Sequence, residues 1–270
     1  MTIDEFRNRI LYEDNHLLII NKLPGDLVQG DQSGDVTLAD EARTYLKEAY
    51  GKEGNIFLGI PHRLDRPTSG VVIYTKTEKA LKRMHALFRA EGAVEKIYWA
   101  VVDSLPLGDE GLVVHYLTRN RVKNRSYATV EEKRGSQLAK LSYTIKGASK
   151  AFYLLEIELI TGRHHQIRAQ LNALGSSIKG DLKYGSRRSN KGGGIHLHAR
   201  QVSFIHPVRQ ERVTVIAPPP KDPLWDYFVT LLSWKTTPTL FLPSALTING
   251  RSPLTCLKWV VSSIRGNASR

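Results

Sequence analysis

Residues 62–77 read HRLDRPTSGVVIYTKT. This stretch places the carboxylate of Asp65 between Arg63 and Arg66. An Asp flanked in this way is expected to stay ionised, because nearby positive charge favours the charged form. Asp65 is therefore either a structural residue held in a turn or a nucleophile that faces a polyanion. The apolar run that follows, residues 70–75, predicts a buried strand.

The composition describes a basic protein of otherwise ordinary make-up. A length of 270 residues suits one large domain or two small ones. The content of 41% hydrophobic and 24% charged residues is that of an ordinary soluble protein. The net charge of +13 attracts polyanions, of which nucleic acid is the commonest and an anionic membrane surface is the alternative.

The cysteine count, the N-terminal sequence and the hydropathy of the chain indicate its cellular compartment. Cys256 alone excludes an internal disulfide and a cysteine-based zinc cluster, which is typical of the reducing cytoplasm. Acidic residues precede any apolar run at the N-terminus, which argues against a signal peptide. Since no window approaches the ~20 apolar residues of a membrane span, we expect a cytoplasmic protein without a membrane partner.

Periodicity predicts more strands than helices. Strands are predicted at residues 17–22, 70–75, 96–102, 151–160 and 212–217, with short strands and polar turns over 103–150, and helices are predicted at residues 37–50, 77–92 and 161–174. Because strands outnumber helices, we expect an α+β fold with a mostly antiparallel central sheet and flanking helices.

Three segments occur in the order that one enzyme family shows. Residues 62–77 closely resemble the signature of the RluA-type RNA pseudouridine synthases, residues 12–30 resemble the family's opening motif, and TGRHHQIRAQL at 161–171 resembles its third motif. The resemblance spans roughly residues 12–217. It implies a sheet with a cleft that holds RNA, an isomerase that converts uridine to pseudouridine in an rRNA or tRNA stem-loop, and no need for a metal or an organic cofactor.

The resemblance also implies three catalytic residues. Asp65 is the nucleophile, Arg168 pairs with it, and Tyr98 stacks on the target base and is proposed to assist removal of the C5 proton. A phenol with a pKa near ~10 is a weak base, which favours the stacking role. The pattern of the predicted helix agrees for Arg168, because a side chain at the margin of an apolar stripe is partly buried only if it meets an anion.

Further residues are expected to bind substrate. Arg63 fills the gap left by a flipped-out nucleotide, or else it is a simple charge partner of Asp65 or of a phosphate. Arg163, expected in the first turn of the third helix, binds a phosphate at exposed N–H groups or remains a solvated surface side chain. His165 has a structural and RNA-contacting role in the family motif. The basic run at 119–125 either follows a phosphate backbone or forms a solvated loop.

Other readings stay open at this point. Histidines at 164, 165, 196 and 198 raise the question of a metal site, but no Asp/Glu pair stands at ligand spacing, so none is expected. A catalytically silent RNA-binding module is one alternative, which the intact Asp65, Tyr98 and Arg168 argue against. A carboxylate-dependent hydrolase such as a glycosidase is another, which requires a second positioned acid.

The C-terminal part differs in character from the rest. Residues 235–270 carry five Lys and Arg and no acid, and their apolar patches have no clear period. We expect a catalytic domain at residues 1–233 and a basic extension at 234–270, which is a loosely ordered appendage or an extra RNA contact. The protein is expected to be a monomer.

Overall fold

The computed structural model describes residues 2–30, 34–51, 53–106 and 108–236. Within these ranges ten strands form one sheet, and they are β1 Ile10–Glu13, β2 Leu17–Lys22, β3 Ser69–Thr75, β4 Val94–Val102, β5 Glu110–Asn120, β6 Arg125–Thr129, β7 Gln137–Ala148, β8 Tyr153–Leu159, β9 Leu197–Ile205 and β10 Arg212–Ile216. Their order in the sheet is β1-β2-β3-β9-β4-β8-β7-β5-β6, with β10 paired to β9. Every pairing is antiparallel except a short parallel one between β3 and β9.

Among the residues that the structure describes, five helices accompany the sheet. They are α1 Ile3–Arg7, α2 Leu38–Tyr50, α3 Glu78–Arg89, α4 Gln166–Ala173 and α5 Pro223–Thr236, and a short 3-10 turn covers Leu182–Tyr184. The mostly antiparallel sheet with helices on it confirms the predicted α+β fold. In the described part of the chain, no helix has the length and apolar character to cross a membrane.

The predicted strands β2 and β3 are buried on both faces. Val72 and Tyr74 join the core beneath α2, whereas Val71 and Ile73 join the core beneath α3. A strand covered by helices on both sides reads as a continuous apolar run, because alternate side chains point to opposite faces. This is why the sequence after Asp65 is apolar without alternation.

Gly70 permits the parallel contact that joins the two halves of the sheet. Its φ is +115°, and a Cβ there would lie 2.2 Å from the carbonyl oxygen of Ala199 on β9. Only glycine allows this backbone approach. This approach places the start of β3, and with it the end of the loop that carries Asp65, beside β9.

The third predicted helix is shorter than expected. It was predicted at residues 161–174, but α4 begins at Gln166, and His165 has a left-handed φ of +53°. This φ interrupts a right-handed helix. The side chain of Gln166 fixes the preceding loop instead, because its Oε1 accepts from the Thr161 hydroxyl at 2.8 Å and from the Arg163 N–H at 2.9 Å.

Helix α1 and strand β1 were not predicted, and further differences lie beyond residue 103. The strands predicted as short over 103–150 include β5 with 11 residues and β7 with 12. Helix α5 was not predicted, although Trp225 and Phe228 are spaced to pack together against Trp99 of β4. Residues 1–232 form one compact unit. The predicted extension at 234–270 lies, apart from its first three residues, outside the described residues and stays a prediction.

Candidate active site

The loop before β3 presents Asp65 and is held from behind. The ammonium of Lys22 donates to the carbonyl oxygens of Arg66 at 2.9 Å and Thr68 at 2.6 Å. Ahead of Asp65, the Nε2 of His62 accepts the N–H of Ile73 at 2.9 Å. These contacts fix the backbone on both sides of Asp65 while its own side chain stays 27% exposed.

Lys22 and His62 were missed at the sequence level, and both titrate unusually. Burial lowers the pKa of Lys22 to about 8, and the nearby carboxylates of Asp26 and Asp65 oppose that shift. Burial also lowers the pKa of His62 to about 4, so the ring is neutral and can accept a hydrogen bond. A lysine at the end of a largely apolar strand is a signal that could have identified the first of them.

Arg168 joins two carboxylates. Its Nη1 lies 3.0 Å from Oδ2 of Asp65, and its Nε and Nη2 lie 2.6 and 2.8 Å from the two carboxylate oxygens of Asp181. The side chains of Arg168 and Asp181 are only 5% and 1% exposed. Burial works to lower the pKa of Arg168, but the hydrogen bonds and charges of the two carboxylates raise it overall, so the guanidinium stays charged.

The cation beside Asp65 is therefore not one of its neighbours in sequence. Arg66 pairs with Asp35 at 2.9 Å, and Arg63 is exposed and makes no ion pair with any described residue. Neither arginine that flanks Asp65 in the sequence pairs with it in the structure. Arg168 does so from α4, and its guanidinium is aligned by Asp181, a residue that carried no signal in the sequence.

His165 contacts Asp65 from the other side. Its Nε2 lies 3.4 Å from Oδ2 of Asp65, and its Nδ1 lies 3.0 Å from the hydroxyl of Tyr184. Burial lowers the pKa of His165 to about 3, against the opposing charge of Asp65, so the ring is neutral at physiological pH. His165 therefore cannot form a salt bridge with Asp65 there.

Tyr98 lies on β4 and faces the same cavity as Asp65. Burial, together with the charge of Asp65, raises the pKa of the Tyr98 phenol far above its ordinary value. The phenol is therefore protonated at neutral pH, and a tyrosinate base is not available there. A protonated phenol fits the expected stacking role better than the base role, and both roles stay predictions.

The cavity has a volume of about 650 Å³, within the ~300–1,000 Å³ of typical ligand sites. Asp65, Tyr98 and Arg168 all line it. Glu91, an exposed residue after α3, is the other acid of its lining. The cationic side chains that line it are Arg63, Arg89, Lys96, Arg119, Arg163 and Arg168.

Arg163 is at the cavity but not at a helix terminus. It precedes α4, is exposed, and its Nε donates to the carbonyl oxygen of Leu138 at 3.0 Å. The expectation that it binds phosphate with the N–H groups of a first helical turn is wrong, because the left-handed His165 delays the helix. A role for the Arg163 side chain itself in substrate binding stays a prediction.

The histidines that raised the question of a metal site form hydrogen bonds with other residues. His164 accepts or donates at Ser126 and Asn124, His196 pairs with Asp222 at 3.0 Å, and His198 lies 3.0 Å from the carbonyl oxygen of Ala217. Within residues 2–30, 34–51, 53–106 and 108–236, no group of three metal-ligating side chains is present. The expected absence of a metal and of a cofactor stays a prediction.

Comparison with known proteins agrees with this arrangement. Residues 16–173 match the RNA pseudouridylate synthase family. The chain is 34% identical over 215 residues to an uncharacterised RNA pseudouridine synthase of Synechocystis, covering 78% of this chain and 65% of that protein. It is 32% identical to the ribosomal large subunit pseudouridine synthase D of Zymomonas mobilis, covering 79% and 69% of the two chains.

A further relative and a solved structure show the same similarity. The chain is also 34% identical to the ribosomal large subunit pseudouridine synthase C of Buchnera aphidicola subsp. Schizaphis graminum, covering 78% of this chain and 67% of that protein. The human RNA pseudouridylate synthase domain containing 4 has the same fold, with a TM-score of 0.69, 23% identity, and 86% and 95% of the two chains covered. The chain belongs to the RNA pseudouridine synthases, a family of isomerases, and the predicted RluA-type resemblance is confirmed. It spans about two thirds of the length of these curated relatives.

Proposed function

We propose that this protein isomerises uridine to pseudouridine in ribosomal RNA, with Asp65 as the nucleophile. The observation that carries the proposal is a partly exposed carboxylate at a cavity of nucleotide size, hydrogen-bonded to a buried arginine. The relatives named as ribosomal large subunit pseudouridine synthases favour rRNA over tRNA as the substrate.

The proposed reaction balances without any co-reactant. An oxygen of Asp65 bonds to C1′ as the N1–C1′ bond breaks and N1 keeps the electron pair. The freed base turns, its C5 bonds to C1′, and the carboxylate leaves. C5 then loses a proton and N1 gains one, so that uridine and pseudouridine have the same atoms. The covalent intermediate divides one difficult step into two easier ones.

Other cavity residues have proposed roles in presenting the base. Tyr98 stacks on the turning uracil as a protonated phenol. Arg63, which is exposed and unpaired among the described residues, stacks and hydrogen-bonds in the gap that a flipped nucleotide leaves. Flipping costs a few kcal/mol, part of which a guanidinium offsets. His165 and Arg163 contact the RNA around the flipped nucleotide.

Positive charge around the cavity supports a polyanionic partner. The hairpin of β5 and β6 extends this charge from Arg119 at the cavity, and residues 115–130 contain no acid. We infer that this hairpin binds RNA phosphates. The affinity for RNA should then fall steeply with salt concentration, because added salt makes the release of counterions from the RNA less favourable. We further expect that the protein acts as a monomer in the cytoplasm and that its substrate is a stem-loop of the RNA.

Tritium release tests the proposal directly. The purified protein is incubated with large-subunit rRNA, and separately with tRNA, each labelled with tritium at C5 of uridine. We expect release from the rRNA and a pseudouridine at the same position, which is absent from rRNA of a strain that lacks the gene. Release from tRNA alone would contradict the substrate, and release from neither RNA would contradict the activity.

A further inference from the structure

Tyr184 lies behind the cavity and contacts both groups that approach Asp65. It is fully buried, its hydroxyl lies 3.0 Å from Nδ1 of His165, and its ring centroid lies 4.9 Å from the guanidinium carbon of Arg168. We propose that Tyr184 is a positioning residue that directs the N–H groups of His165 and Arg168 onto one oxygen of Asp65, Oδ2, and leaves Oδ1 to react. This inference rests on the proposed function of Asp65.

The hydroxyl of Tyr184 determines which nitrogen of His165 carries the proton. The backbone N–H of Ser126 donates to this hydroxyl oxygen at 2.8 Å. The phenol's own proton needs an acceptor, and among the described residues Nδ1 of His165 is the atom placed to accept it. A neutral imidazole that accepts at Nδ1 carries its proton on Nε2.

This tautomer places an N–H beside the reactive carboxylate. Nε2 of His165 lies 3.4 Å from Oδ2 of Asp65. The distance is longer than that of an ordinary hydrogen bond, but the dipole still favours a negative charge at Oδ2. With the proton on Nδ1 instead, the lone pair of Nε2 would face the carboxylate and repel it.

The ring of Tyr184 and the carboxylate of Asp181 fix the second donor. Asp181 occupies Nε and Nη2 of Arg168, so that Nη1 remains for Asp65. The ring of Tyr184 attracts the guanidinium through its π-electrons. With one edge paired and its carbon close to the ring, the guanidinium keeps Nη1 on Oδ2.

The two carboxylate oxygens of Asp65 therefore differ. Oδ2 faces both donors, whereas Oδ1 accepts no hydrogen bond from any residue in the described part of the chain. A hydrogen bond stabilises negative charge on the oxygen that accepts it. Oδ1 is accordingly the more reactive oxygen, and Tyr184 makes the two unequal.

Removal of one hydroxyl tests this role. Tyr184→Phe keeps the ring and loses two hydrogen bonds of the hydroxyl, one to His165 and one from the N–H of Ser126. Tyr74→Phe is the matched control, because Tyr74 is equally buried and its hydroxyl donates to the carbonyl oxygen of Val28 at 2.9 Å. For Tyr184→Phe we expect the single-turnover rate at saturating RNA to fall about tenfold, as for a lost buried hydrogen bond, with RNA affinity unchanged.

The control separates positioning from stability. Both variants should show lowered unfolding temperatures, with the larger decrease in Tyr184→Phe because it loses two hydrogen bonds and Tyr74→Phe loses one, but Tyr74→Phe should keep the wild-type rate. A wild-type rate in Tyr184→Phe, or an equal loss of rate in the two variants, overturns the inference. Failure of the proposed function is distinguishable, because the wild-type protein itself would then release no tritium from RNA.

A double-mutant cycle tests the route through His165. In His165→Gln the side-chain amide supplies an N–H near the place of Nε2 that does not depend on a tautomer. Tyr184→Phe should therefore cost at most about twofold in rate in that background, since contacting residues couple. An equal cost in both backgrounds overturns the route.

If Tyr184→Phe does not fold, a comparison of two His165 variants tests the inference with Tyr184 intact. His165→Gln keeps a donor toward Asp65, whereas the shorter amide of His165→Asn reaches the Tyr184 hydroxyl and not Asp65. We expect His165→Gln to turn over RNA faster than His165→Asn at saturating substrate. The reverse order, or equal rates, overturns the inference.

Discussion

The two segments that meet at Arg168 are held in opposite ways. The loop around Asp65 is partly exposed, and Lys22 and His62 fix it through its backbone and that of β3. The turn that carries Asp181 and Tyr184 exposes Leu182 between them, but these two side chains are buried and make the contacts. The reactive group is therefore left open to substrate, whereas the charges that orient it are withdrawn from water and paired.

The largest effect is expected where the two segments join. Arg168→Met leaves the buried carboxylate of Asp181 unpaired, which costs about 3–5 kcal/mol of the free energy of unfolding. It also removes the donor to Asp65, so the single-turnover rate should fall by about a hundredfold or more. Denaturant unfolding and tritium release at saturating RNA measure the two effects.

Arg168→Lys distinguishes charge from geometry at this position. An ammonium keeps the charge but cannot reproduce the planar fork that holds Asp181 and Asp65 together. We expect most of the stability and only a small part of the rate to return. A wild-type rate in Arg168→Met would show that the two segments do not depend on this bridge.

Asp181→Asn weakens the buried segment alone. It should lower the free energy of unfolding by about 1–3 kcal/mol, because one hydrogen bond to Arg168 becomes unfavourable, and it should lower the rate with unchanged RNA affinity. Asp14→Asn is the matched control, since that buried carboxylate pairs with His206 and Arg209 away from the cavity. Equal rates in the two variants would mean that Asp181 has no part in positioning.

The exposed loop could be predicted from sequence and the buried turn could not. Asp65 lies in a contiguous stretch, and the apolar stripe of α4 marks the position of Arg168. Asp181 and Tyr184 lie in a turn without periodicity, and their importance depends on contacts with residues distant along the chain.

The errors in prediction have similar causes. The start of α4 was misplaced because a left-handed φ at His165 is set by tertiary contacts and leaves no mark on the sequence. Helix α5 was overlooked because three consecutive prolines before it indicated an end, although the spacing of Trp225 and Phe228 was available. The overall fold class needed only strand counts and survived both errors.

Acid should lower the free energy of unfolding through buried neutral histidines. Burial lowers the pKa of His62 and His198 to about 4 and of His165 to about 3, from 6.5. Between those values the unfolded chain binds more protons than the folded one, so stability falls as pH falls below 6.5. The fully buried His198 should contribute up to ~1.4 kcal/mol per pH unit.

A non-titrating variant checks the sign and the source of this dependence. His198→Gln should flatten the plot of the free energy of unfolding against pH between 6.5 and 4 relative to the wild type. An unchanged slope in the variant would show that the buried ring does not carry the dependence.

The smallest effect is expected from metal removal. EDTA treatment followed by gel filtration should leave activity unchanged within about twofold, provided that RNA folding is maintained with a monovalent salt, because the proposed steps use only side chains. Mass spectrometry of the treated protein verifies removal. Activity that is lost and then restored by zinc alone would contradict this expectation.

Asp65→Asn tests the central claim, that the open carboxylate reacts while the buried pair orients it. The amide keeps the size of the side chain but is not a nucleophile, and Arg168 remains paired with Asp181. The measurement is tritium release in a single turnover at saturating RNA, with affinity and unfolding temperature recorded on the same sample. We predict no release above background, with near-wild-type affinity and folding. Turnover above trace level in the folded variant would contradict the account.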